Sequence, residues 1–368
     1  MKVLLVQWGR RNAGPLFLAE LAGASQGRGP SCVLSFSGDA ELAPVLEGLR
    51  LPSFRIKTGG PLRLALALLL APVHARRLRR FAGAHDVSST VVVMEHPVQS
   101  VAFGMFGPPT RDYWLVMHDS ALHDGEANRV AAFFRARDYR RATGVVALSN
   151  DTAARARASG LVPPGVPIVI SHHPSHRRPG ELAERSPAAR LRIGFVGRIE
   201  PYKGLELLLE AVAALRARDV DFEFEVWGAG RLDGKAKRWL SHVDRLENRY
   251  LSDGELGDVY RRFDIVVTPY LEASQSGIVA MAQAYGVAVV VTPVGALAEQ
   301  IEDGVTGLVA PDVTSEALVT ALDYLLARPA VVASMGRAAE QRAEELGWPA
   351  LLDDLARALE SNTIGDLR

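Results

Sequence analysis

The chain has 368 residues, 48% hydrophobic and 23% charged, with 42 Lys/Arg against 42 Asp/Glu. That length exceeds one ordinary core and predicts two domains of a globular protein, and the single cysteine, Cys32, excludes an intrachain disulfide framework and fits a reducing compartment. The zero net charge hides an asymmetry, since residues 1–180 hold 22 Lys/Arg against 12 Asp/Glu and the remainder 20 against 30. The front half is therefore expected to meet something anionic, a membrane surface or a phosphorylated acceptor rather than nucleic acid; the alternative is a set of solvated faces with no partner.

The first apolar run, Val3–Gln7, reads as a buried strand that begins too early to leave room for a signal peptide. A loop containing Gly9 and Gly14 follows, and then a helix from Leu16 to Ala24. The two glycines permit close backbone approach to a ligand, although their spacing is not the dinucleotide fingerprint. Further strands are expected at Cys32–Phe36, Phe54–Lys57, Thr90–Glu95, Trp114–His118, Gly144–Ser149 and Val166–Ser171, mostly separated by helical segments. Strands alternating with helices imply a largely parallel, doubly wound α/β sheet. Several strands end in polar residues: Glu95-His96-Pro97, then His118-Asp119 with His123, Gly125 and Glu126 behind, then His172-His173-Pro174. Each histidine alone reads first as a satisfied loop residue rather than a catalyst, but three imidazole-bearing strand ends on one sheet edge point to a polar cleft. His172, His173 and His176 do not share a face and lack a carboxylate neighbour in sequence, so no metal is expected there. Residues 62–81 combine Leu64, Leu66, Leu68, Leu69 and Leu70 with Arg76, Arg77, Arg79 and Arg80. They read either as a core helix with a charged end or as an interfacial helix on anionic lipid. No apolar run reaches the length of a bilayer span, and the expected location is the cytoplasm, with peripheral contact at the membrane's inner face.

Residues 176–189 are rich in Pro and charge without apolar periodicity and read as a linker between a domain over 1–175 and one over 190–345. In the second half strands are expected at Leu191–Val196, Phe222–Val226, Arg249–Leu251, Asp264–Pro269, Ala288–Val291 and Gly307–Val309. The first of these ends at Gly197, and Arg198 and Lys203 occupy the loop before a helix over Leu205–Leu215. A planar fork and a point charge five residues apart suit a diphosphate, if they are not simply solvated. Gly228-Ala229-Gly230 ends the next strand as a nucleotide-facing loop would. Glu272 to Gly277 leads into a helix over Ile278–Tyr285, placing the Ser276 hydroxyl and backbone donors at a helix N-terminus. Asp219-Val220-Asp221 imitates a metal-binding pair but precedes a strand, at the wrong end of the sheet, and reads as a solvated turn.

These pieces resemble, in order from Arg192 to Val309, a retaining nucleotide-sugar glycosyltransferase of family 4. They are Gly197-Arg198-Ile199 with Lys203-Gly204, Gly228-Ala229-Gly230, Tyr250-Leu251-Ser252-Asp253, Asp264–Pro269, Val294–Glu299 and Asp303–Val309. The front half resembles the family more loosely, through His118 and the glycine loop. The resemblance implies a GT-B fold, with two Rossmann-like domains facing each other across a cleft and a C-terminal helix over 346–368 crossing back to the first. It implies a UDP- or GDP-sugar as donor substrate with no permanently bound cofactor, and a glycan, lipid-linked or small-molecule acceptor. Arg198 and Lys203 would neutralise the leaving diphosphate, and Ser276 and Gly277 would contact the phosphate or sugar. Tyr250 and Leu251 would line the base pocket, and His118 would touch the sugar. Gly197, Gly228, Gly230, Glu272 and Gln275 complete the expected donor side, and Gly9, Gly14, His96 and His123 the acceptor side. The family's second Glu is missing, since Ala280 and Met281 stand there, and a Gln-Ser-Gly turn replaces the usual glycine loop. A catalytically silent GT-B-like subunit and a GT-B-fold nucleotide-sugar epimerase are the alternatives.

Overall fold

The structure is a computed structural model that describes residues 1–11, 13–119, 129–175, 190–232, 234 and 236–365. The linker over 176–189 thus lies outside the described residues, as do His123, Gly125, Glu126 and His176. The chain divides into two compact units, Met1–His172 with Trp348–Arg368, and His173–Gly347.

The first unit is a seven-stranded parallel sheet built from β1 (Lys2–Gln7), β2 (Ser31–Ser37), β3 (Ser53–Ile56), β4 (Ser89–Val92), β5 (Asp112–Met117), β6 (Gly144–Ala147) and β7 (Ile168–Ile170). Its order is β3-β2-β1-β4-β5-β6-β7, with Val3 of β1 opposite Cys32 on one side and Ser89 on the other. Strands covered on both faces need apolar residues at every position, which is why Val3 to Val6 form an unbroken buried run. On one face lie α3 (Gly60–Leu69), α4 (Ala71–Ala84), α5 (Pro97–Phe106), α6 (Arg129–Tyr139) and α7 (Asn150–Ala158). On the other lie α1 (Ala13–Ala24), α2 (Ala43–Gly48) and the C-terminal helix, designated α13 (Trp348–Gly365). This last helix is tied down by Leu351, Leu352, Leu355 and Leu359 in the core, by Trp348 edge-on to Phe17 at 4.7 Å, and by Ser171 Oγ donating to Asp354 at 2.6 Å.

The leucine-rich segment is two helices, not one. Pro72 cannot continue the hydrogen-bond ladder of α3 and instead starts α4. The face turned to the core is lined by Ala67, Ala71, Ala75, Leu78 and Ala82, so Leu62, Leu66 and Leu69 are left 83%, 52% and 76% exposed. Of the leucines read as core or interfacial, Leu64 and Leu68 pack against this core, whereas Leu66, Leu69 and Leu70 are exposed. No single helix among the described residues is long and apolar enough to cross a membrane.

The second unit is a six-stranded parallel sheet of β8 (Arg192–Val196), β9 (Glu223–Trp227), β10 (Arg245–Glu247), β11 (Ile265–Thr268), β12 (Ala288–Val291) and β13 (Gly307–Val309), in the order β10-β9-β8-β11-β12-β13. Its helices are α8 (Leu205–Arg216), α9 (Asp253–Tyr260), α10 (Gly277–Ala284), α11 (Ser315–Leu326) and α12 (Pro329–Glu345), with apolar clusters on both sheet faces. One expected strand is misplaced: pairing falls on Arg245–Glu247 rather than Arg249–Leu251. β10 is an edge strand, so charged residues are tolerated in it, and Arg245 stacks its guanidinium over Trp227 at 4.5 Å. Asp219 sits at positive φ and Asp221 pairs with Arg190 at 3.0 Å, the solvated turn that was expected.

Candidate active site

In the second sheet β8 has β9 on one side and β11 on the other, so the chain reverses its winding at β8. Open α/β sheets bind ligands at the carboxyl ends of strands flanking such a switch point. Three loops meet here because glycine lets their backbones touch. A Cβ at Gly228 would collide with the Gly197 carbonyl, and one at Gly204, where φ is +64°, with the Pro269 carbonyl. Ile199 N donates to Ala229 O at 2.9 Å and Leu271 N to Tyr202 O at 2.8 Å, which locks the loops in register.

On this scaffold the side chains form one connected series. Arg198 Nη2 donates to the Tyr202 hydroxyl at 3.2 Å. Lys203 Nζ lies 5.1 Å from the Tyr202 ring centre and 3.7 Å from that of Tyr270. Tyr270 is buried, its hydroxyl lies 3.1 Å from Ser276 Oγ, and burial raises its pKa, so it stays neutral and presents its ring face to the ammonium. Ser276 caps α10 without its side chain bonding the first turn, Gly277 is exposed, and no acidic residue occupies that turn. Two cations and a helix N-terminus are thereby gathered at one place, an arrangement suited to a phosphate-bearing ligand.

The remaining residues expected on the donor side divide in two. Tyr250 is 70% exposed and offers a flat ring, whereas Leu251 is buried in the core beside Trp227 and Tyr260. Leu251 therefore lines the base of the fold rather than an open pocket. Gly230 packs on Ile199 and binds Asn248, whose amide donates to the Gly230 carbonyl at 3.1 Å. Glu272 is exposed, and Gln275 Oε1 is buried without a hydrogen-bond partner. Ala280 is buried and Met281 packs against the core, so neither position presents a carboxylate.

The carboxyl edge of the first sheet is occupied largely by internal bonds. A Cβ at Gly9 or Gly14 would meet the Gln7 amide, so the close approach these glycines allow is made by the chain's own buried Gln7. His96 caps α5, its Nδ1 accepting from Val98 N at 3.3 Å, and burial lowers its pKa to about 4. His118 Nε2 donates to the Val93 carbonyl at 2.8 Å and its ring packs edge-on to Phe17; burial lowers its pKa as well. Both imidazoles are thus neutral at pH 7. Glu95 accepts from Arg135 at 2.6 Å and from the Tyr139 hydroxyl, and Arg135 also donates to the Asp119 carbonyl. Among the described residues no group of three or more His, Cys, Asp or Glu could hold a metal ion.

Beside this cluster Asp138 accepts from Gln99 at 2.7 Å and Tyr113 at 2.9 Å, and burial pushes its carboxyl up to about 8. The folded chain then keeps a proton that an unfolded aspartate loses near pH 4. Stability should fall as pH rises from about 4 to about 8, and Asp138→Asn should flatten that slope. Thermal unfolding across this range checks the sign.

Residues 190–328 match the family of glycosyl transferases group 1. D-inositol 3-phosphate glycosyltransferase from Arthrobacter sp. is 33% identical over 196 residues, covering 51% of this chain and 46% of the relative. The chain thus spans about half the length of the curated relatives it first matches. Two solved structures share the fold across both units. A glycosyltransferase from Rickettsia africae superposes with a TM-score of 0.73 at 15% identity, covering 98% of each chain. Anabaena HepE, solved in complex with UDP and glucose, gives 0.70 at 16% identity and covers 98% of this chain and 100% of its own. The fold is GT-B.

Arg198, Lys203, Ser276 and Gly277 all fall within the stretch that matches the group 1 glycosyl transferases. So do four residues that the sequence left without a role: Tyr202, Tyr270, Gln283 and Gln300. The tyrosines sit inside the very stretches that drew attention, and the available signals were Tyr202 next to Lys203 and Tyr270 just past the end of β11. For Gln300, 24 residues beyond Ser276, the sequence offers none.

Proposed function

We propose that the chain is a retaining glycosyltransferase that moves a sugar from a nucleoside diphosphate to an acceptor. The observation that carries this reading is the series Arg198, Tyr202, Lys203, Tyr270 and Ser276 at the switch point of the second sheet. In it Arg198 and Lys203 stabilise the charge that grows on the leaving diphosphate, the α10 N-terminus takes a phosphate or sugar oxygen, and the exposed Tyr250 ring stacks on the base. UDP is the first nucleotide to try, since HepE of the same fold carries it. A phosphorylated acceptor suits the surplus of Lys/Arg in residues 1–180, 22 against 12 acidic residues, and the relatives named for inositol 3-phosphate point the same way. UDP, GDP and their sugars should be screened by thermal stabilisation. A ligand at about 100 times its Kd adds roughly 2.7 kcal/mol. Absence of any shift defeats the reading, and conversion of a nucleotide sugar with no acceptor present favours an epimerase instead.

The front unit supports a second element of this reading, contact with an anionic membrane. Leu62, Leu66 and Leu69 are exposed on α3, and residues 60–85 carry five arginines and no acidic residue. Arg63 pairs with Asp39 at 3.2 Å, which leaves Arg76, Arg77, Arg79 and Arg80 beside the apolar side chains; such a combination suits the headgroup boundary of an anionic bilayer, and a cytoplasmic enzyme would meet it at the inner face. Co-sedimentation with phosphatidylglycerol vesicles, but not with phosphatidylcholine vesicles, is expected. It should weaken with salt and be abolished by Leu62→Glu with Leu66→Glu, substitutions at exposed sites that leave the fold intact.

A further inference from the structure

The Gln-Ser-Gly turn is held by a residue from another loop. Ser276 precedes α10 in extended backbone, and its hydroxyl is taken by Tyr270 rather than by the first helical turn. What fixes its peptide groups is Gln300, in the short helical turn Ala298–Gln300 that follows β12. Gln300 Oε1 accepts from Ser276 N at 2.7 Å and Gln300 Nε2 donates to Ser276 O at 3.0 Å, so one carboxamide grips both backbone groups of a single residue. Gln300 is held in turn by Gln283 of α10, whose Nε2 donates to the Gln300 carbonyl at 2.9 Å. The bonds close a ring running from Ser276 along α10 to Gln283, across to Gln300 and back to Ser276.

We infer that Gln300 is a positioning residue for the diphosphate end of the donor, acting through the Ser276–Gly277 turn, with Gln283 as its support. The inference rests on the donor reading above. A residue clamped at both N–H and C=O has little freedom to rotate its peptide plane, so the clamp sets the direction of the N–H groups that open α10. Through the Ser276 hydroxyl it also sets Tyr270, over whose ring Lys203 is seated. Removing the clamp leaves every group that touches the ligand in place but lets the turn and the lysine wander. The clamp is made of neutral amides, so its effect is independent of pH over the range in which carboxylates and imidazoles titrate.

The test compares UDP with UMP by calorimetric titration of the full chain, alongside donor kinetics and thermal unfolding without nucleotide. Gln300→Leu removes both bonds at similar side-chain size. It should weaken UDP about tenfold and raise the donor KM by a similar factor, since two neutral hydrogen bonds at their usual net value correspond to that ratio. UMP, which lacks the phosphate nearest the sugar, should stay within about twofold of wild type. Gln283→Leu should shift UDP in the same direction by a smaller factor, and it carries the test if Gln300→Leu fails to fold. Equal weakening of UDP and UMP, or none of either, overturns the inference. If the wild type binds UDP and Lys203→Ala does not, the donor reading stands, and an unchanged UDP affinity in Gln300→Leu then defeats this inference alone. If the wild type binds GDP in place of UDP, GDP and GMP take the places of UDP and UMP in the same comparison; if it binds neither UDP nor GDP, both fall together.

Discussion

Alanine in place of Arg198 is expected to lower kcat for sugar transfer by about two to three orders of magnitude, and alanine in place of Lys203 by a similar factor. The estimate follows from the cost of removing one preorganised donor from developing negative charge, about 3 to 4 kcal/mol of barrier. The pair should not be additive. Arg198 bonds the Tyr202 hydroxyl and Lys203 lies against the rings of Tyr202 and Tyr270, so loss of one cation loosens the seat of the other. The double variant should therefore be only slightly worse than either single one. Neither side chain is buried, so the melting temperature without ligand should barely move. Steady-state assays with a saturating acceptor separate this from weakened donor binding. If both single variants retain transfer within about fivefold of wild type, the diphosphate role of the basic loop is wrong.

The second large effect is on stability. Arg135→Ala should destabilise the first unit by about 3 to 5 kcal/mol, because it strands Glu95 in a largely buried setting. The side chains of Arg135 and Glu95 are only 10% and 20% exposed, and Arg135 additionally ties down the Asp119 carbonyl at the end of β5. Three elements, β4, β5 and α6, therefore lose a common anchor. Chemical denaturation followed by tryptophan fluorescence should show the transition of the first unit displaced while that of the second, with its separate cores, stays in place. Replacing both partners with Arg135→Met and Glu95→Leu should cost clearly less, since no charge is left without its partner. A shift below about 1 kcal/mol in the single variant would show that Glu95 stays hydrated in the native state.

Much of the fold was legible from local pattern. A parallel strand covered on both faces must be apolar throughout, so runs such as Val3–Val6 and Ala288–Val291 announce themselves. β10 did not, because an edge strand escapes that requirement and Arg245–Glu247 can be charged. The leucines of α3 misled in the opposite direction. Apolar residues usually mark the core, but here only Ala67, Leu64 and Leu68 turn to it, and Leu62, Leu66 and Leu69 face outward. Arg198 and Lys203 were found because they share a loop after a strand. Their link to Ser276 was not, because it passes through Tyr270, and the aromatic ring that seats a lysine is invisible until two loops are brought side by side.

The division has a physical basis. Sequence by itself determined what depends on neighbours within a few residues: the alternation of strand and helix, the glycine-bearing turns at strand ends, and the placing of cations and a helix N-terminus after particular strands. Tertiary structure alone decided what depends on residues far apart in the chain. Gln7 fills the gap between Gly9 and Gly14, His96 and His118 are bound internally and held neutral, and Gln300 reaches back 24 residues to hold Ser276. Hydrogen bonds and ion pairs act over a few ångströms in space, and only the folded sheet sets which distant residues come within that reach.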